Sequence, residues 1–171
     1  RLAAVTAVGS YSGDIVVSST GATSANITTV SSTVAAKGLT ITGLVASGKT
    51  YDATTAVSIT GTAVYTGLVN GDTFTVSDVV TYAFTSATVG TNKPITRTGT
   101  YTAPSANYTI TQPTLTATVT AAPLTVTASN QTKNFGTTSP TTLATAFTTS
   151  GLQGSEVIST VTLAYNGAPA G

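Results

Sequence analysis

The sequence predicts an all-β protein made of two tandem small β-modules, and three observations lead to that prediction. Thr and Val, which favour the pleated backbone of strands, are abundant along the 171 residues. Apolar and polar residues alternate in many short runs, as they do in strands that bury one face. Several segments recur after 84 or 85 residues, which indicates an internal repeat. Each module is expected to be an immunoglobulin-like sandwich or a grasp-type sheet.

The composition excludes several classes of function. The chain has no Cys, His, Met or Trp, and only 6% of its residues are charged, against about 25% in ordinary soluble domains. A thiolate nucleophile, a histidine base, an imidazole or thiolate metal site and a disulfide framework are therefore excluded. The net charge of +1 offers no electrostatic surface for nucleic acid, and no apolar run reaches the length of a membrane span. We expect no cofactor, no nucleic-acid partner and no membrane insertion.

The alternating runs predict the strands in chain order. In each run, apolar residues take every second position and Thr or Ser lies between them. Gly, Pro and an Asn-Gly pair separate the runs and mark the turns. The expected strands lie at residues 39–43, 57–62, 73–77, 95–101, 108–111 and 115–121.

One stretch, residues 151–159, is less typical of a strand. Ser155 is a favourable helix N-cap, and Glu156 follows it in what would be the first turn. We expect either one short helical turn near 153–160 or a turn into a strand that begins at Val157.

The internal repeat is visible at several places with nearly one spacing. Leu39-Thr-Ile-Thr returns as Leu124-Thr-Val-Thr after 85 residues. The segment Gly67-Leu-Val-Asn-Gly-Asp returns as Gly151-Leu-Gln-Gly-Ser-Glu after 84. The repeat therefore starts at Leu39 and again at Leu124.

This spacing sets the expected domain organisation. Residues 39–123 form one complete module, and 124–171 form the N-terminal half of another. Residues 1–38 correspond to a C-terminal half, because Ser24-Ala-Asn-Ile matches Ser105-Ala-Asn-Tyr. We expect a two-module repeat cut out of phase, in which 1–38 of an adjacent repeat or copy completes 124–171. The start at Arg without an initiator Met is that expected of a fragment or a mature chain.

Short motifs in the repeat resemble two modules of large bacterial surface proteins. Residues 49–55, Lys-Thr-Tyr-Asp-Ala-Thr-Thr, together with the Asn-Gly-Asp at 70–72, resemble the YDG repeat. That family is named for a Tyr-Asp-Gly core, and Ala53 stands here in place of the Gly. Residues 124–136 resemble the start of the MBG module, and residues 8–28 resemble its remainder. The resemblance implies tandem stalk or spacer units of secreted, filamentous-haemagglutinin-like adhesins, which are not known for catalysis.

Each group that could carry chemistry also has a structural interpretation. Asp72 and Asp78 are the nearest acidic pair for general acid–base catalysis, although Asp72 follows a turn signal and Asp78 lies in a strand pattern. Asn70 and Asp72 offer oxygen ligands for Ca²⁺. Candidates for an isopeptide bond to a buried Asn are Lys49, Lys93 and Lys133.

Tyrosines and sequons complete the set of candidates. The tyrosines would form a carbohydrate-stacking face or, in the interpretation that we favour, core and junction aromatics. They are Tyr51, Tyr65, Tyr82, Tyr101 and Tyr108. Asn26, Asn107 and Asn130 begin N-glycosylation patterns, which arise by chance in a chain of this composition. We assign no catalytic, cofactor-binding or metal-binding residue.

We therefore expect a non-enzymatic structural or stalk segment of a secreted, repetitive adhesin or extracellular fibre at the bacterial cell surface. Its partners are adjacent repeats or copies of itself, joined head to tail, and the low charge favours lateral bundling. The alternative is a self-assembling extracellular filament subunit, in which residues 1–38 complete a neighbouring chain by strand complementation.

Overall fold

Strands are the only regular secondary structure in the part of the chain that the structure describes. The structure is a computed structural model, and it describes residue 3 and residues 5–137, 142–143 and 146–162. Those residues form strands and turns and contain no helix, so the all-β prediction is confirmed. They contain no helix that is long and apolar enough to cross a membrane.

The strands are short and pair into six small sheets. The sheet orders are β1-β4, β2-β3, β10-β5-β7, β6-β11-β9-β8, β12-β14 and β13-β15. The strands in chain order are β1 (Gly9–Tyr11), β2 (Asp14–Ser19), β3 (Ala22–Thr28), β4 (Ser32–Val34), β5 (Lys37–Ser47), β6 (Lys49–Thr50), β7 (Ser58–Thr66), β8 (Thr81–Phe84), β9 (Gly90–Thr98), β10 (Tyr108–Thr111), β11 (Thr116–Thr120), β12 (Thr125–Ala128), β13 (Thr142–Leu143), β14 (Phe147–Ser150) and β15 (Val161–Thr162).

Five of the six expected strands are present, as β5, β7, β9, β10 and β11. The strand expected at 73–77 is not formed, because residues 71–80 are held by side-chain contacts instead of a backbone ladder. At one end of this stretch the Phe74 ring packs edge-on against the Tyr108 ring, with centroids 6.3 Å apart. At the other end Asp78 binds the backbone N–H of Thr102 at 3.1 Å.

The helical turn expected near 153–160 is also not formed, and neither is the alternative strand from Val157. Gly154 and Ser155 form a turn, in which the Glu156 N–H donates to the Gln153 carbonyl at 3.2 Å. Gly151 and Gly154 have φ angles of 101° and 59°, which lie outside the right-handed helical region. The backbone therefore cannot continue into a helix here.

The chain divides into two compact units, each assembled from three stretches of sequence. The first unit is formed by the described residues of 1–46, 59–82 and 96–115, and the second by those of 47–58, 83–95 and 116–171. The sheet β10-β5-β7 belongs to the first unit, and most of the sheet β6-β11-β9-β8 belongs to the second. The module boundaries at 39–123 and 124–171 stay a prediction.

The first unit is organised around β5. β10 lies parallel to it, with Tyr108 opposite Lys37 and Ile110 opposite Leu39. Leu39 and Ile41 of β5 are buried, as is Tyr108 of β10. Full burial of an aliphatic side chain of this size contributes roughly 1.5–3 kcal/mol, so these strands carry a large part of the unit's stability.

The second unit has its core on β8 and β11. Phe84, Ala117, Val119 and Ala146 are its buried apolar residues. β11 runs antiparallel to β9 and parallel to β6, so it lies inside the four-stranded sheet and is paired on both edges.

Two glycines face each other where β5 and β7 approach most closely. Gly43 and Gly61 have φ angles of 86° and 89°, in the region that only glycine enters easily. A Cβ added at Gly61 would overlap the carbonyl oxygen of Gly43, and one at Gly43 would overlap that of Thr62. The close pairing of these strands therefore requires glycine at both positions.

We expect Gly61→Ala to lower the free energy of unfolding by about 3–4 kcal/mol, since the left-handed strain and the overlap with backbone add. The matched control is Gly71→Ala, where φ is 76° but nothing lies within 4 Å of the added Cβ. This control should lose only about 1–2 kcal/mol. Urea denaturation of both variants measures the difference, and equal losses would contradict the close approach of β5 and β7.

Candidate functional site

A polar cluster forms directly after β6, at the Tyr-Asp-Ala segment. The Lys49 Nζ donates to Asp52 Oδ1 at 2.6 Å, to the Thr54 carbonyl at 2.8 Å and to Thr54 Oγ1 at 2.9 Å. It also lies 5.6 Å from the centre of the Phe84 ring, within reach of a cation–π contact. We call Lys49, Asp52, Thr54 and Phe84 the Lys49 cluster.

Asp52 closes a local turn within the Lys49 cluster. Its Oδ1 accepts hydrogen bonds from the Thr54 backbone N–H and from Thr54 Oγ1, both at 2.9 Å. An aspartate that binds the backbone two residues ahead forms an Asx-turn, a local alternative to a strand. The hydrogen bond from Lys49, followed by that from the Thr54 backbone, lowers the pKa of Asp52 to about 2.

Ala53 explains why this segment favours glycine. Its φ angle is 61°, in the left-handed region, which costs a residue with a Cβ about 1–2 kcal/mol. The Asx-turn at Asp52 and the contact of Lys49 with the Thr54 carbonyl hold the backbone in this conformation. Ala53 therefore occupies a strained position that a glycine would occupy without strain.

We expect Ala53→Gly to raise the free energy of unfolding by about 0.5–1 kcal/mol, because relief of strain exceeds the added freedom of the unfolded chain. The matched control is Ala56→Gly, at a residue that forms an antiparallel bridge with Ala83. The control should be destabilised by about the same amount. Thermal melts of the two variants measure this, and destabilisation by both would contradict strain at Ala53.

The lowered pKa of Asp52 predicts acid sensitivity. A carboxylate with a depressed pKa stabilises the fold above its unfolded pKa near 4, and that contribution is lost as the pH falls towards 2. We expect Asp52→Asn to lower the melting temperature at pH 7 and to flatten its fall between about pH 4 and pH 2. Asp14→Asn, at an exposed strand end, is the control and should keep the wild-type slope. An unchanged slope in Asp52→Asn would contradict the prediction.

A second carboxylate near this segment, that of Glu156, is bonded to a tyrosine. The Tyr51 hydroxyl donates to Glu156 Oε1, and this bond is the main reason why the pKa of Tyr51 is raised. The Tyr51 backbone N–H donates to the Thr120 carbonyl at 2.8 Å, so the backbone at Tyr51 is anchored to the end of β11. The bond fastens the turn at residues 153–156 to the end of β6.

The first unit contains a similar tyrosine–carboxylate pair, which lines a cleft with a volume of about 150 Å³. The Tyr108 hydroxyl donates to Asp72 Oδ2 at 2.6 Å and accepts from the Val69 N–H at 3.3 Å. Its pKa is raised, first by the bond to Asp72 and then by burial. We call this the Tyr108 cleft; its lining also includes Val5, Lys37, Asn70 and Asn107.

The turn beside the Tyr108 cleft is the one expected from the sequence. Asn70 and Gly71 have φ angles of 57° and 76°, and the Asp72 N–H donates to the Val69 carbonyl at 3.0 Å. Two successive positive φ angles define a type I′ turn, for which Asn-Gly is the preferred pair. The turn interpretation of Asp72 is confirmed.

Asp72 and Asp78, the candidate acid–base pair, are bonded to different partners. Asp72 accepts from Tyr108, whereas Asp78 accepts from the hydroxyl of Thr102 at 2.8 Å and from its backbone N–H. The described residues gather no group of three or more Asp or Glu that could hold a metal ion. Asp78 lies outside any strand, so the strand interpretation of this residue is wrong.

The three candidate isopeptide lysines all bond to oxygen atoms near them in sequence. Lys49 bonds within its cluster, and Lys93 donates to Ser86 Oγ at 2.8 Å and Thr88 Oγ1 at 2.9 Å. Lys133 donates to the Thr137 carbonyl at 3.0 Å. These contacts tie down turns, as hydrogen bonds from a flexible ammonium group do.

The tyrosines are divided between the core and the surface. Tyr101 and Tyr108 are buried, and the Tyr101 hydroxyl lies 3.0 Å from that of Tyr82, whose pKa is raised chiefly by burial. Tyr65 donates to the Thr102 carbonyl at 3.0 Å. Each of these four hydroxyls has a protein partner, as is usual for tyrosines whose rings are partly or fully buried. Of the sequon asparagines, Asn26 lies in β3 and Asn130 in a loop, while Asn107 accepts from the Val8 N–H at 2.9 Å.

Sequence reasoning missed the tyrosine–carboxylate bonds and one amide clamp. The Gln112 side chain donates to the Tyr101 carbonyl at 2.7 Å and accepts from the Tyr101 N–H at 3.1 Å, so it replaces a backbone partner. The repeat carried a signal for the carboxylates, because it places Asp72 and Glu156 at matching positions. No signal identified their tyrosine partners, which lie far from them in sequence.

Comparison with known proteins identifies one segment of the chain. No curated protein and no solved structure matches the chain. The family model of the YDG domain matches residues 35–117, a segment that includes β5 to β10 and the Lys49 cluster. Residues 35–117 therefore form a YDG domain.

Proposed function

We propose that the chain is a non-enzymatic structural segment, a stalk or spacer, of a secreted and repetitive protein of the bacterial cell surface. In this proposal, modules of about 85 residues follow one another and residues 124–171 are completed by residues 1–38 of the next repeat. The YDG domain at residues 35–117 supports the proposal, as does the MBG resemblance of the flanking segments.

The observation that carries the proposal is a repeated piece of local structure. β5 pairs with β7, and β12 pairs antiparallel with β14, so that both copies of the Leu-Thr-aliphatic-Thr motif lie in strand pairs. Both pairs are followed by a glycine with positive φ, 108° at Gly67 and 101° at Gly151. A Cβ at Gly67 would touch the Gly38 carbonyl, and one at Gly151 would overlap the Pro123 carbonyl. The two module starts thus share a strand pair and a close glycine contact.

The connection between successive modules supports a stiff rod. Only residues 121–124 separate the end of β11 from the start of β12. Pro123 within this connection has a fixed φ and no N–H, which reduces the freedom of the junction. Units that are linked so closely form stacks in which each contacts its neighbours.

The polar side chains of the Lys49 cluster and the Tyr108 cleft are consistent with this role. Lys49, Asp52, Asp72 and Glu156 bond to hydroxyl groups, to backbone atoms or to each other and thereby fix turns. Bonds of this kind stabilise the fold at the ends of strands, which is a structural role that suits a stalk or spacer.

A second candidate is a self-assembling extracellular filament subunit whose chains join head to tail without a covalent link. Side-by-side association of the chains is compatible with both the stalk segment and the filament subunit. β7 lies at the edge of the sheet β10-β5-β7, and its nine residues include no charged side chain and no proline. Soluble proteins usually guard such edges with Lys, Pro or bulges, so an unguarded edge favours side-by-side contact.

We expect a protein in which two full chains are fused end to end to contain one newly completed module. Amides of residues 125–128 in the first copy should exchange at least tenfold more slowly with deuterium than those in the second copy, which has no following repeat. A Lys133→Arg substitution in the first copy alone distinguishes the two sets of peptides by mass. Equal exchange in both copies would contradict completion by the next repeat.

The single chain, measured over a range of concentrations, separates the two candidates. A filament subunit slows exchange at residues 125–128 as the concentration rises, and its sedimentation coefficient increases in parallel. For a covalent stalk segment, exchange is slow in the fused protein at concentrations at which single chains still exchange fast and pair only transiently.

A further inference from the structure

Among the residues that the structure describes, β12 has an edge that no strand covers, at the position where β5 is covered. β10 pairs with the edge of β5 that faces away from β7, whereas β12 and β14 form a two-stranded sheet. The side chains differ accordingly. Leu39 and Ile41 of β5 are 1% and 5% exposed, but the matching Leu124 and Val126 are 49% and 43% exposed. An apolar strand edge in this state is a surface for the addition of another strand.

The segment that matches β10 is uncovered as well. Tyr108 of β10 is 4% exposed, whereas Ile27, its counterpart in Ser24-Ala-Asn-Ile-Thr, is 56% exposed. Ile27 belongs to β3, which forms a two-stranded sheet with β2. A two-stranded hairpin is marginally stable alone, and this one also exposes apolar side chains of β2. They are Ile15, Val16 and Val17.

We propose that residues 27–30 of one copy of this chain add to residues 122–125 of a second copy, parallel to the segment that leads into β12 and on the same side as the free edge of β12. The register follows from β10 on β5, where Tyr108 lies opposite Lys37 and Thr111 opposite Thr40. It places Ile27 opposite Ala122 and Val30 opposite Thr125 of the second copy. This inference rests on the proposed completion of one module by the next and specifies the strand, its direction and its register.

The free hydrogen-bonding edges of both strands fit this register. Successive residues of a strand direct their N–H and C=O groups to opposite edges. The Thr29 N–H donates to the Gly13 carbonyl at 2.7 Å on the β2 side, so Thr28 directs its N–H to the other edge. The Ser129 N–H donates to the Ala146 carbonyl at 2.8 Å on the β14 side, so Leu124 and Val126 direct theirs away from β14.

The pair of β10 and β5, from which this register is taken, uses the same edges. The Lys37 N–H donates to the Asn107 carbonyl at 2.8 Å, and Lys37 and Asn107 correspond to Ala122 and Asn26. Pro123 corresponds to Gly38, and in this alternation its missing N–H lies on the β14 side, where it removes no bond to the added strand. A shift of one residue would turn these groups to the wrong edges and move every side chain to the other face.

The contact also carries no electrostatic cost. Residues 27–30 read Ile-Thr-Thr-Val and residues 122–125 read Ala-Pro-Leu-Thr, so neither segment contains a charge to be desolvated. The added strand would supply partners for the backbone groups and would cover Leu124 and Val126. A second copy of the chain provides it, because each single chain carries one uncovered segment of each kind.

Cysteine cross-linking tests the register in the full chain, which has no cysteine of its own. Chains with Val30→Cys are mixed with chains with Thr125→Cys under mild oxidation, and the mixed disulfide dimer is identified by its mass. Neighbouring residues of paired strands have the Cα separation that a disulfide requires. We expect this dimer to form at least tenfold faster than in the control mixture of Val30→Cys with Val126→Cys, whose thiols lie on opposite faces.

Two results would overturn the inference. One is cross-linking of the control mixture at an equal or higher rate, and the other is a Val30→Cys/Thr125→Cys double variant that oxidises only within a single chain. Neither result affects slow exchange in the fused protein, which tests completion by the next repeat in any register. Conversely, fast exchange at residues 125–128 in that protein would contradict the proposed function itself.

Discussion

β10 is distant from β5 in sequence and pairs with it in parallel, and the first unit is built around that contact. The pairing places Ile110 beside Leu39 and puts the Tyr108 ring in the core. From the core, the Tyr108 hydroxyl binds Asp72 and the Val69 N–H, and its ring contacts Phe74. A parallel pair between distant segments gains nothing until a long loop has closed, so this contact makes the unit cooperative.

The acidic residues of the chain lie mostly outside its strands. Asp52, Asp72, Asp78 and Glu156 are four of its five acidic residues, and each accepts a hydrogen bond from a neighbouring side chain. These bonds fix the turns, whereas β7 and β12 contain no charged side chain and are compatible with contact to another copy.

The sequence predicted the parts of the fold that depend on local pattern. Alternation identified β5, β7, β10 and β11, and the Asn-Gly pair identified the turn before Asp72, because both signals arise from neighbouring residues. The strand expected at 73–77 was wrong, since Asp78 and Phe74 bind residues that the pattern does not include. The helical turn near 153–160 was wrong because Gly151 and Gly154 take positive φ angles.

The candidate site was less accessible to sequence reasoning. Lys49, Asp52 and Thr54 lie within six residues, so their cluster was within reach of a local pattern. The partner of Asp72 is Tyr108 and that of Glu156 is Tyr51, both far away in sequence. Such pairs depend on how strands are ordered in the sheet, and alternation does not contain that order.

The same chain therefore shows a strand edge in two states. Where β10 pairs with β5, the backbone groups of that edge have partners and Leu39 is buried. At the corresponding edge beside β12, Leu124 is exposed. A protein with abundant charge can keep such an edge apart from other molecules by repulsion, but this chain has only 6% charged residues and no lysine or arginine in β12. With repulsion weak, the stable arrangement is one in which the edge is covered. Residues 27–30, which we propose as the covering strand, have the length, the neutrality and the free hydrogen-bonding groups to cover it.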